Sequence, residues 1–260
     1  FYKSRGYVDF SILSYRRDLL QDYSGFNINI IIEEGPKYKI NKISVLNNVM
    51  ELENVDLLKD LPVKKNDFYD DRAVAESIKR LNDVFGSKGY SFVEIKTNIK
   101  NKKKDKFLLD LVFNVEEGLK SYVRNINISG NTRTLDYVIR REILLFEGDP
   151  FNSQKLKESI NALRRLAYFT TVDVQLSKTN IANQVDIDIK VKEKLTGSFS
   201  FGVGYDSVEK TQFSLGLLEN NFLGKGLRTR VSVTTSSKST KYNVGITEPY
   251  FQDLPLYLSG

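Results

Sequence analysis

Few side chains in this sequence are spaced for chemistry. Two carboxylate pairs, Glu33-Glu34 and Glu116-Glu117, could act as acid–base groups or metal ligands. The run Lys102-Lys103-Lys104 could bind phosphate or lipid head groups, and Gly202-x-Gly204 has the look of a glycine loop. Each has a plainer reading. Both Glu pairs close an alternating stretch directly before a glycine, which suits a turn. The lysines fall between two alternating stretches, where a solvated hairpin loop is expected. No Lys-Ser/Thr pair and no helical pattern follow Gly204, so a nucleotide loop is unsupported. The chain has no His and no Cys. Ser-His and Cys-His nucleophiles are therefore excluded, imidazole acid–base chemistry is absent, and zinc would need carboxylates alone. We assign no catalytic, cofactor-binding or metal-binding residue and expect no enzyme.

The elements that carry these residues follow from composition and periodicity. The chain has 260 residues, of which 40% are hydrophobic and 28% charged, so a packed core is feasible and bulk disorder is not expected. The formal charge of +6 could favour anionic partners. The lysines are not interleaved with exposed aromatics, so nucleic acid is disfavoured. No apolar run is long enough for a transmembrane helix. The abrupt start at Phe1-Tyr2 and the stop at Leu258-Ser259-Gly260 read as cuts, and an internal fragment is expected.

A repeat organises the first three quarters. Gly6-Tyr7 matches Gly89-Tyr90, and Glu33-Glu34-Gly35 matches Glu116-Glu117-Gly118, both at an offset of 83 (89 − 6 and 118 − 35). The same offset carries Ile40, Ile43, Val45 and Asn48 onto Val123, Ile126, Ile128 and Asn131, and Phe68 onto Phe151. Each unit opens with an alternating strand and an Asn-containing turn (Asn47-Asn48, Gly130-Asn131). A helix follows, clearest over Thr134–Leu145, where Leu135, Val138, Ile139 and Ile143 form one stripe. A second helix begins after Phe68 or Phe151, capped by Asp70 or Asp71 and by Asn152 or Ser153. Its inner faces are Val74, Ile78, Leu81 and Phe85, and Leu156, Ile160, Leu163 and Ala167. Two strands close each unit: Phe92–Ile99 and Phe107–Val115 around a turn at Lys100–Lys106, then Phe169–Leu176 and Val185–Val191. The order β-α-α-β-β predicts an α+β layer with helices on one sheet face.

After Lys194 the period switches to two. Phe199, Phe201, Val203 and Tyr205 alternate with Ser198, Ser200, Gly202 and Gly204. Residues 212–218, 227–237 and 241–251 alternate likewise, and Phe222 and Tyr250-Phe251 fall at strand turns. One apolar face on strands of about 9 to 11 residues is the weak signature of a transmembrane β-barrel.

The "Gly-Tyr … Glu-Glu-Gly" layout, "YVRNINISGNTRTLDYVIRREI" (122–143) and "LRRLAYFTTVDV" (163–174) resemble POTRA domains, with Ala167 where those domains place a Gly. "TGSFSFGVGYDS … FSLGLLENNFLGKGL … GITEPYF" resembles the opening strands of BamA-like outer-membrane assembly factors. The resemblance covers essentially the whole chain. It implies α+β POTRA repeats (β-α-α-β-β) followed by antiparallel transmembrane β-barrel strands. The expected domains are 1–37 (the C-terminal half of a POTRA domain), 38–120 and 121–194 (two full POTRA domains, the second the last before the barrel) and 195–260 (four barrel strands and the start of a fifth). It further implies insertion of β-barrel proteins into the outer membrane of a Gram-negative bacterium. Periplasmic POTRA domains would receive unfolded β-barrel clients and recruit accessory lipoproteins, and the barrel would sit in the lipid bilayer. A two-partner secretion barrel or a TamA-like factor is the alternative. No cofactor is implied.

Two sites are expected. Tyr7, Val8, Asp9, Phe10, Ser11, Ile12 and Leu13 match the edge strand of a POTRA-like sheet, with Phe26–Ile32 more central, and could pair with an extended client. Gly197, Ser198, Phe199, Ser200, Phe201, Gly202, Val203, Gly204 and Tyr205 form the first barrel strand, whose small face would make a weak seam able to open sideways.

Overall fold

The computed structural model describes residues 1–47, 56–103, 106–116, 118–251, 256 and 258–260. The chain divides into two compact units, Phe1–Leu119 and Lys120–Gly260. Among the described residues, no helix is long and apolar enough to cross a membrane.

The first unit starts with an antiparallel hairpin of β1 (Ser11–Leu19) and β2 (Phe26–Glu33), paired from Ser11↔Glu33 to Leu19↔Phe26. β3 (Lys39–Asn47), α1 (Asp71–Ser87), β4 (Ile95–Lys103) and β5 (Leu108–Val115) follow. The sheet order is β3-β5-β4, with β5 parallel to β3 and antiparallel to β4. Parallel pairing needs a crossover connection, and α1 supplies it. Asp70 caps α1, its carboxylate accepting from the Arg72 N–H at 2.8 Å. Val74 and Leu81 of α1 then bury against Tyr38, Ile40, Leu109, Leu111 and Phe113.

The second unit repeats the plan with β6 (Tyr122–Ser129), α2 (Asp136–Arg140), α3 (Ser153–Arg165), β7 (Phe169–Lys178) and β8 (Gln184–Glu193), in sheet order β6-β8-β7. Asn152 caps α3, accepting from the Gln154 and Lys155 N–H groups at 2.9 and 3.0 Å. Val185, Ile187, Ile189 and Val191 of β8 are buried together with Leu156 and Leu163 of α3. Five antiparallel strands in sequence order complete the unit: β9 (Gly197–Asp206), β10 (Lys210–Phe222), β11 (Leu227–Ser236), β12 (Thr240–Glu248) and β13 (Leu258–Ser259).

Three elements differ from their periodicity. The predicted helix Thr134–Leu145 shrinks to α2: Leu135 is extended (φ −69, ψ 144), and the Thr134 N–H goes to Glu193 and the Leu135 N–H to the Gly224 carbonyl. At its other end Ser159 Oγ takes the Leu144 N–H at 2.8 Å. β1 begins at Ser11 rather than Tyr7, since Tyr7–Phe10 form a turn closed by N–H bonds from Val8 to Gly6 and from Phe10 to Tyr7. β4 spans Ile95–Lys103 instead of Phe92–Ile99, so Lys102 and Lys103 are strand residues rather than loop residues. Asn48, Lys104 and Glu117 lie outside the described residues.

Candidate functional site

The sheet β9–β13 carries two chemically opposite faces. Cross-strand pairing lines up Phe201, Leu215, Val233 and Tyr242 in one row, and Phe199, Leu217, Val231 and Val244 in the next. Phe199 is 71% exposed, Phe201 64% and Tyr242 76%, so no protein layer covers this face among the described residues. A contiguous apolar surface of this kind marks an interaction or membrane surface. The opposite face aligns Ser200 with Gly216, Ser232 and Asn243, and Gly202 with Ser214, Thr234 and Lys241. β9 is the end strand, bonded on one side to β10 and, among the described residues, to no strand on the other. All nine residues expected to form the first strand, Gly197–Tyr205, therefore lie on one strand with a free edge.

The N-terminal strip divides. Ser11–Leu13 enter β1, whose outer edge has no strand partner among the described residues. Tyr7–Phe10 do other work. Tyr2 stacks on Phe10 at 4.3 Å and meets Tyr7 edge-on at 5.8 Å. Val8 packs against the core. Asp9 accepts from the Tyr38 hydroxyl at 3.0 Å and pairs with Lys102. Burial, then the Asp9 hydrogen bond, pushes the Tyr38 phenol up. Of the carboxylates considered for chemistry, Glu116 has a structural partner. Glu116 accepts from Lys96 at 2.7 Å, and this bond holds its carboxyl below the usual range. No group of His, Cys, Asp or Glu among the described residues could hold a metal ion.

The chain passes from β8 to β9 through three residues, and these are tied down. The Lys194 N–H bonds the Tyr168 carbonyl at 3.0 Å. The Thr196 carbonyl accepts from the Asn220 backbone and side chain at 3.3 and 3.1 Å. Just before them, the Glu193 carboxylate gathers the loop ahead of α2. It accepts from the Thr132, Arg133 and Thr134 N–H groups at 3.1, 3.0 and 2.7 Å, and from the Thr132 hydroxyl at 2.8 Å. Burial would raise this carboxyl, but those bonds outweigh it and hold it at about 2.

That loop meets the β10–β11 turn. Asn221, 8% exposed, donates to the Thr134 hydroxyl at 2.9 Å and accepts from the Gly226 N–H at 2.8 Å. The Gly224 carbonyl accepts from the Leu135 N–H at 2.9 Å. Gly224 has φ +71, and a Cβ there would collide with the Arg133 carbonyl, so only glycine fits. The Arg141 guanidinium lies 4.1 Å over the Tyr250 ring. Sequence reasoning assigned no role to Glu193, Thr134 or Asn221. The signal available was the cluster Asn220-Asn221 followed by Gly224-Lys225-Gly226.

The family model described as surface antigen variable number repeat, POTRA, matches residues 38–118 and 121–194, more than half of the chain. The chain belongs to the POTRA family. It is 30% identical over 254 residues to the outer membrane protein assembly factor BamA of Nitratidesulfovibrio vulgaris, covering 96% of this chain and 32% of that protein. To the BamA of Neisseria meningitidis it is 29% identical over 254 residues, again covering 96% and 32%. The chain thus spans about a third of the length of these curated relatives. A crystal structure of BamA from Haemophilus ducreyi lacking POTRA domains 1–3 superposes with a TM-score of 0.71 at 28% identity, over 85% of this chain and 42% of that one.

The two POTRA repeats and the N-terminal segment share a backbone device that the residue types half conceal. Gly6, Gly89 and Ala167 each precede a tyrosine, and their φ values are +96, +102 and +59. All three lie in the left-handed region; Gly89 and Ala167 follow the ends of α1 and α3. Ala167 therefore holds the conformation of a glycine at the cost of a Cβ clash.

Proposed function

We propose that this chain is the part of an outer-membrane β-barrel assembly factor in which the last POTRA domains run into the first barrel strands. Residues 1–37 would be the back half of one POTRA domain, 38–120 and 121–194 two whole ones, and 195–260 barrel strands. One observation carries the reading. Three residues after the last POTRA strand begins an antiparallel sheet with one bare apolar face and one face of small and polar residues. Ten residues of β9 reach about 33 Å and, tilted by about 45°, rise about 23 Å, close to the apolar band of about 25 Å that outer-membrane barrels present. The rows through Phe199 and Phe201 would face lipid, and the rows through Ser200 and Gly202 the barrel interior. Phe222, at the end of β10, and Phe251, in the turn after β12, are both part-exposed and suit the membrane boundary.

The physical logic of insertion follows. An unfolded β-protein cannot enter lipid with unpaired backbone groups. The free edge of β9 offers donors and acceptors to an incoming strand, and the edge of β1 from Ser11 offers the same in the periplasm. Across β9 the side chains at Ser198, Ser200, Gly202 and Gly204 add little packing, so a seam closed through this strand opens at low cost. Unfolded outer-membrane β-barrel proteins are the clients on this reading. Accessory lipoproteins dock on the POTRA region, and the protein resides in a Gram-negative outer membrane. A disulfide engineered between β9 and the last strand of the full-length protein tests the gate. Client insertion should stop and return with reductant; full insertion while crosslinked would refute it.

A further inference from the structure

The β10–β11 turn is gripped by the last POTRA domain more closely than a connection between two strands requires. On the POTRA side the grip is built without any barrel strand, because Glu193 and residues 132–134 all belong to the repeat. On the strand side the register of β10 against β11 slips between Glu219 and Phe222. A bulge re-aims a side chain, and here it turns Asn221 inward onto the Thr134 hydroxyl. Gly224 and Gly226 keep the turn bare where it approaches the repeat.

We propose that this seat captures the first hairpins of the chain's own barrel before the barrel closes, so that the last POTRA domain sets the order in which its own strands assemble. The inference rests on the barrel reading above. Two arguments carry it. The Asn221–Thr134 bond spans 87 positions, but with the repeat already folded only the 28 positions from Glu193 to Asn221 remain to be closed, whereas on the barrel reading the seam at β9 closes against the last strand of the barrel. Short loops close at lower entropic cost and form earlier. In water, moreover, the apolar rows of β9–β12 have nothing to pack on among the described residues, and an open sheet of this kind is not stable on its own. A turn held by buried hydrogen bonds fixes the β10–β11 register while the rest of the sheet is unformed. Thr134 and Asn221 are positioning residues of this seat, and Glu193 acts through the loop that presents Thr134.

The test is the folding and unfolding kinetics of the full-length protein in dilauroylphosphatidylcholine vesicles, read by resistance to heat on a gel. Asn221→Ala and Thr134→Val, two independent variants, should each slow folding by about tenfold and change unfolding by less than about twofold. The double variant should fold no more slowly than the slower single one, since one bond joins the pair. Unchanged folding with faster unfolding would place the seat after the barrier and overturn the inference alone, as would no change in either rate. A wild-type chain that never becomes heat-resistant in vesicles would overturn the barrel reading and the seat with it.

Discussion

Removing the charge from Glu193 should destabilise the last POTRA domain in a manner that pH reveals. The carboxylate takes three backbone N–H groups and one hydroxyl from residues 132–134. In Glu193→Gln one acceptor oxygen becomes an amide donor, which faces those N–H groups with nothing to offer. The carboxyl is held at about 2 against an ordinary 4.5. That difference corresponds to about 3 kcal/mol, which partial solvent access reduces to about 2 kcal/mol. The folded-state value is the depressed one, so the stabilisation is complete above the unfolded value of about 4.5 and fades as pH falls toward 2. Urea unfolding of residues 121–194, wild type and Glu193→Gln, at pH 7 and pH 3 measures this. The variant should lose about 2 kcal/mol at pH 7, and the gap should narrow at pH 3. A gap of the same size at both pH values would show that the loss is steric rather than electrostatic, and no gap at pH 7 would refute the argument.

Other outcomes follow from single contacts. Ala167→Gly removes a Cβ from a left-handed residue and should stabilise residues 121–194 by about 0.5–1 kcal/mol, seen as a higher urea midpoint. Leu163 is fully buried in the same repeat, and Leu163→Ala should cost about 2–5 kcal/mol by the same assay. Leu215→Arg places a cation in the middle of the apolar rows and should weaken folding of the full-length protein into vesicles by about 2–4 kcal/mol; an unaffected yield would argue against lipid contact at that row.

Much of the repeat is legible in the residues because each signal is local. Asp70 and Asn152 satisfy helix-end N–H groups wherever those helices form, and the spacing of Val74, Leu81 and Phe85 needs only a helix to become a buried face. The alternation from Gly197 onward is equally local, and it yields the two-faced sheet. What periodicity misses is decided by distant partners. The stripe from Leu135 to Ile143 reads as a long helix, yet Gly224, far along the chain, holds the extended Leu135 by its N–H, and Ser159 takes the Leu144 N–H at the other end. Val8 and Phe10 continue the alternation of β1, yet Asp9 between them is drawn to Tyr38 and Lys102 and bends the strip into a turn. The Lys102 of an apparent loop is half of that pair. The seat at Asn221 and Thr134 spans 87 positions, and only the neighbouring Asn and Gly residues hint at it.

The central claim is that the face carrying Phe201 meets lipid while the face carrying Ser200 meets water. Single cysteines at Phe201 and Ser200 of the full-length protein, which otherwise offers no thiol in this region, measure it directly. In the native membrane, Ser200→Cys should react with a charged, water-soluble maleimide and Phe201→Cys should be protected until detergent and heat unfold the barrel. Equal labelling of the two before unfolding would contradict the account.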